Sequence, residues 1–94
     1  MRREPDFFGD QDLELIYIAK RLRDALELED LLTKAGLDYL VETDTYRGGI
    51  IFVTERVGAF FYVAPPAAEQ TRGVMRGSGW RPYRPLSQRE RKSE

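Results

Sequence analysis

Apolar residues in this chain fall in short unbroken runs, not in the alternating pattern of a half-buried strand. Leu15-Ile16-Tyr17-Ile18-Ala19, Ile50-Ile51-Phe52-Val53 and Ala59-Phe60-Phe61-Tyr62-Val63-Ala64 are apolar at odd and even positions alike. Strand side chains alternate between the two sheet faces, so such runs want both faces out of water. The first run predicts a strand over 13–20. Arg21 to Arg23 turns the chain, and Asp24 with Glu27 three residues later has the form of a capping box. Ala25, Leu28, Leu31, Leu32 and Ala35 then recur at helical spacing, and Gly36 follows as a terminating glycine.

Leu37 to Thr45 reads as a second strand, with Leu37, Tyr39 and Val41 on one face and Asp38, Glu42 and Asp44 on the other. Tyr46-Arg47-Gly48-Gly49 reads as a flexible loop. The runs Ile50–Thr54 and Ala59–Ala64, split by Glu55-Arg56-Val57-Gly58, predict a hairpin with Gly58 in its turn. Pro65-Pro66 ends the last strand and opens a second helix. Ala67, Thr71, Val74 and Met75 would form its inner stripe, and Gly73 weakens it by about 1 kcal/mol against Ala. Gly77 and Gly79 stop this helix, and Trp80 is expected to fold back onto the domain.

The expected organisation is an N-terminal arm over 1–11 tacked down by Phe7 and Phe8, one α+β domain over 12–80, and a disordered basic tail over 81–94. The element order β-α-β-β-(β)-α predicts a ferredoxin-like two-layer sandwich, a mainly antiparallel sheet with two helices on one face. Two helices cover only one face of such a sheet. A second copy of the chain is the expected cover for the other, giving a homodimer. Tyr17, Phe52, Phe60, Phe61 and Tyr62 are the candidate interface residues, some lining the core and the rest forming an exposed patch.

Composition narrows the chemistry. A chain of 94 residues holds one domain and buries only about 60–65% of its unfolded surface. Cysteine and histidine are both absent, which removes disulfides, thiolate and imidazole metal ligands, and the usual nucleophile–base pairs. No catalytic residue, metal or cofactor is expected, and the chain reads as non-enzymatic. It has neither a span for a bilayer nor the apolar core of a signal peptide, so a bacterial-type cytoplasmic protein away from membranes is expected. Residues 1–68 carry 8 Lys/Arg against 13 Asp/Glu, net −5, whereas residues 69–94 carry 7 against 3, net +4. With its folded part acidic, the chain is not expected to bind nucleic acid.

Three polar groups remain as candidates. Asp38, Glu42 and Asp44 could hold a hard cation, but alternate as a solvated strand edge does. Tyr46, Arg47, Gly48 and Gly49 pair backbone amides with a guanidinium and form the candidate ligand-binding loop, although ordinary turns use the same residues. Arg72 and Arg76, then Arg81 and Arg84 around Trp80 and Tyr83, could grip a single strand by charge and stacking; as a solvated helix face and tail they would do nothing of the kind.

Three stretches carry a family likeness: Ala25–Leu37, Phe61-Tyr62-Val63-Ala64-Pro65, and the second helix followed by Gly79-Trp80. Over roughly residues 13–80 the chain resembles the prokaryotic signal-transducing proteins of small PII-like, ferredoxin-like fold, a family without assigned function. The resemblance implies a regulatory or ligand-sensing role, with a small molecule or protein as partner, and supplies no catalytic residues. The stretch Ile50 to Gly58 is longer and more apolar than the family's pattern.

Overall fold

The computed structural model describes residues 1–48 and 54–83, by backbone only at 46–48 and 54–56. Its elements are β1 (Glu14–Ala19), α1 (Leu22–Lys34), β2 (Leu40–Gly48), β3 (Thr54–Val63) and α2 (Ala68–Gly77), with 3-10 turns at Pro5–Phe8 and Pro65–Ala67. The three strands form one sheet in the order β1-β3-β2, antiparallel at both pairings. The fold is α+β.

A bulge decides how β1 distributes its apolar run. Leu15 lies opposite Tyr62 but Tyr17 lies opposite Phe61, so Ile16 is the extra residue between them. Ile16, Ala19, Tyr39, Phe61 and Val63 join Ala25, Leu28, Leu32, Ala68 and Met75 in one buried cluster, which places both helices on the same sheet face. Tyr39 stacks on Phe61 with ring centroids 5.9 Å apart. The Tyr39 hydroxyl bonds Thr33 Oγ1 at 3.0 Å and donates to the Glu29 carbonyl at 3.2 Å. A phenol that is 1% exposed thus keeps its polar end satisfied.

Both helices end in the same way. The amide of Gly36 donates to the Thr33 carbonyl and that of Leu37 to the Leu32 carbonyl, each at 3.0 Å. Gly36 takes φ +76°, and Leu32 and Leu37 are both buried in the core. This is the paired-bond terminus that a left-handed glycine permits. At α2 the amides of Gly79 and Trp80 bond Arg76 and Met75 in the same pattern, with Gly79 at φ +86°. Trp80 is thereby turned back onto β1, where it meets the Tyr17 ring edge-on at 5.2 Å.

Several expectations are corrected. Helix α1 starts at Leu22, not after Asp24, because the Ala25 amide already bonds the Arg21 carbonyl at 3.1 Å. Asp24 falls in the first turn and caps nothing. The second strand spans Leu40–Gly48, so Tyr46, Arg47 and Gly48 are paired backbone opposite Arg56, Glu55 and Thr54 and do not form a loop. Gly58 is no turn residue: it sits inside β3 opposite Asp44, because the ladder with β2 runs unbroken through it. Ile50 to Val53 and Gly49 lie outside the described residues. The buried stripe of α2 is Ala68, Thr71, Arg72 and Met75, one residue out of phase at its start, because the prolines make a 3-10 turn before the α-helix begins.

Arg72 is the unexpected member of that stripe. It is 4% exposed, where a solvated helix face was expected. Its Nη1 donates to Glu69 at 2.8 Å and its Nη2 to Glu14, the first residue of β1, at 3.0 Å, while its Nε has no partner. The pairing fastens α2 to β1. A buried guanidinium with an orphan N–H is a weak stabiliser, but stripping away a carboxylate leaves it worse off. Glu14→Ala should therefore destabilise by about 1–2 kcal/mol while Arg72→Met stays within about 1 kcal/mol of the parent. Urea unfolding of the two variants checks the order, and the reverse ranking would remove this account.

Gly73 offers a cleaner expectation. It is exposed in mid-helix, and an added Cβ would meet nothing within 4 Å. Gly73→Ala should raise the unfolding free energy by about 0.5–1 kcal/mol, and Gly36→Ala, forced to φ +76°, should lower it by about 1 kcal/mol. Thermal melts of both settle the signs.

Candidate functional site

The face of the sheet turned away from the helices carries Leu15, Ile18, Leu40, Phe60 and Tyr62. Opposite residues in an antiparallel ladder share a face, and the register pairs Leu15 and Leu40 with Tyr62, and Ile18 with Phe60. Leu15, Ile18, Phe60 and Tyr62 are half-buried, and Leu40 is buried. Beyond them on β2 the same face turns acidic, at the exposed Glu42 and Asp44.

The N-terminal arm bonds the backbone just before β2. Met1 and Arg3 bond the backbone of Tyr39 on either side, the Tyr39 amide donating to Met1 at 3.1 Å and the Arg3 amide to Tyr39 at 2.7 Å. Arg3 Nε donates to Asp38 at 2.8 Å, and its guanidinium lies 4.4 Å above the exposed Phe7 ring. Phe8 is 5% exposed yet stands outside the helix-side cluster, and Leu40, next to Tyr39 but facing the other way, is 7% exposed. The chain's own arm is thus bonded along the sheet edge just before Leu40. Of the two phenylalanines expected to tack it down, Phe8 is buried.

The aromatic candidates divide between the faces. Phe60 and Tyr62 lie on the open one. Tyr17 and Phe61 point to the helices, and Phe61 is fully buried, so neither contributes to an external patch on that face. Phe52 lies outside the described residues, as does Gly49 of the candidate ligand loop. Asp38 is committed to Arg3, and Asp44 accepts the amide of Thr45 at 2.7 Å. Among the described residues no group of three Asp, Glu, His or Cys is placed to hold a metal ion. Nor is any described helix long and apolar enough to cross a membrane.

A second feature was hidden in segments read as turn and tail. The Tyr83 amide donates to the Ile16 carbonyl at 2.6 Å, tying the chain beyond α2 to the outer edge of β1. Arg81 to Tyr83 thus belongs to the fold and not to a tail; residues 84–94 lie outside the described residues. Between this segment, β1 and the start of α1 runs an open groove of about 660 Å³. Tyr17, Ile18 and Tyr83 give it apolar walls, and Lys20, Arg21, Arg81 and Asp24 give it charge. The interleaving of Arg81 and Tyr83 after Trp80 was the only signal of it in the sequence.

Three tyrosines titrate above their ordinary range, chiefly through burial: Tyr17 with a further push from Asp24, Tyr39, and Tyr62 with one from Glu42 and Asp44. The folded state then holds these phenol protons more tightly than the unfolded chain does. Their stabilisation is whole below pH about 10 and drains away as pH rises past it. Melting temperatures taken between pH 8 and 11 should fall above that point, and fall less steeply in Tyr62→Phe. An identical decline in the variant would exclude Tyr62 from the effect.

Comparison with known proteins yields no matching family model, no similar curated protein and no similar solved structure.

Proposed function

We propose that this chain is a non-enzymatic binding module that dimerises through its open sheet face. The observation that carries this is the set Ile18, Phe60, Leu15 and Tyr62: four large apolar side chains from two strands, on the face no helix covers. Antiparallel sheets pack face to face at about 10 Å, and a twofold axis makes one patch complementary to itself. The arm sets the limit of the interface at the Leu40 end, and Glu42 and Asp44 set it at the other, since carboxylates buried without partners are costly. The interface is thus confined to β1 and β3.

The order β1-β3-β2, with a helix after β1 and another after β3, is compatible with a ferredoxin-like sandwich in which Arg81 to Tyr83 takes the place of a fourth strand beside β1. The regulatory part of the reading rests on the resemblance at Ala25–Leu37, Phe61–Pro65 and Gly79-Trp80. Nucleic acid is disfavoured by a specific observation: Arg72 is buried, with its two Nη groups turned to Glu69 and Glu14, and presents no guanidinium to a phosphate outside.

Light scattering after gel filtration should give a mass near twice the 10.9 kDa of one chain. Phe60→Glu should return the single-chain mass without loss of the circular dichroism signature. A parent that stays a single chain at about 100 μM would overturn the proposal, since an interface failing there is weaker than about 5–6 kcal/mol.

A further inference from the structure

We infer that the groove along the outer edge of β1 is a binding site for a small anion carried on a flat apolar body, of the size and character of an aryl phosphate. The groove's volume, about 660 Å³, lies within the range of small-molecule sites. Its charge runs against its surroundings: residues 1–68 are net negative, yet the lining has three cations to one carboxylate. The cations come from two distant parts of the chain, Lys20 and Arg21 at the β1–α1 turn and Arg81 beyond α2. The fold brings them to one place. Among the described residues neither Arg21 nor Arg81 forms a salt bridge, and both are exposed, so their guanidiniums can turn to a ligand.

The start of α1 adds to this. Arg21 occupies the N-cap position and makes no side-chain cap bond, so the helix end offers first-turn amides beside the Asp24 carboxylate. Arg21 and Asp24 both line the groove, which brings that helix end to its wall. Opposite lie the Tyr17 and Tyr83 rings and Ile18, apolar surface suited to a flat body and useless to a bare inorganic ion. A guanidinium fork matches two anion oxygens at once. Asp24, the lone carboxylate in the lining, opposes an anion and limits how tightly a highly charged one is held.

The test uses the full chain with phenyl phosphate and inorganic phosphate as probes. Trp80, the single tryptophan, touches the groove wall through Tyr17 and serves as the fluorescent reporter, with amide shifts of Lys20, Arg21 and Tyr83 as an independent one. Phenyl phosphate should bind saturably, with inorganic phosphate at least about tenfold weaker for want of the ring contact. Arg81→Ala and Arg21→Ala should each weaken phenyl phosphate about tenfold with unchanged melting temperature. Asp24→Asn should bind it several-fold more tightly. No saturable response up to about 10 mM, or binding indifferent to both arginine variants, overturns the site. Phe60 lies outside the groove lining but opposite Ile18, so the uncharged Phe60→Ser should lose the dimer yet bind as the parent does; the fate of the dimer and that of the groove are read separately.

Discussion

Two helices of 13 and 10 residues cover one face of a three-stranded sheet, and the rest of the chain is arranged around the face they leave. Each large apolar side chain left in water forgoes about 1.5–3 kcal/mol of burial, and a domain of this size has little stability to spare. Part of the deficit is met from within, for Phe8 and Leu40 are both buried although neither belongs to the helix-side cluster. What stays half-exposed at Ile18 and Phe60 is the surface with most to gain from a partner.

The same two terminal segments manage the sheet edges. Edge strands present unpaired amides and carbonyls that invite unwanted pairing. Met1 to Arg3 engage the backbone at Tyr39, just before β2, and Tyr83 engages Ile16 at the bulge of β1. Along β2 the Asp44 carboxylate takes up the amide of Thr45. A bulge normally leaves a residue without its ladder partner; here the carbonyl of that residue receives the chain returning from α2. Arg81 and Tyr83 line the groove together with the β1–α1 turn, so the segment that engages the edge of β1 also forms one wall of a cleft.

Electrostatics and packing meet at Arg72. Helical spacing put Arg72 on the solvated face, and the chain instead buries its guanidinium between Glu14 and Glu69. The arrangement holds α2 to the sheet at a position where an apolar side chain could pack but could not choose a partner on β1. It also withdraws one cation from the basic C-terminal part, so net charge along the sequence overstates what that part presents to solvent.

Helix α1, its terminating glycine, the proline entry to α2 and the return of Trp80 were legible because each is decided locally: side-chain periodicity, a left-handed glycine, a fixed proline φ. So was the apolar character of β1 and β3 on both faces, which their unbroken runs carry by themselves. Strand register was not, since Gly58 and Tyr46-Arg47-Gly48 look like turns in isolation and become ladder residues only when β2 and β3 lie side by side. Nor could the runs reveal which aromatic faces which way, because one bulge at Ile16 shifts the alternation along β1. The groove was further still from view: Arg81 stands about sixty residues from Lys20 and Arg21 in the chain, and only the packing of α2 against β1 makes them neighbours. Local propensity thus determined the elements and the need for cover, while long-range pairing decided the faces, the edges and the site, because those depend on contacts between residues that share no local sequence.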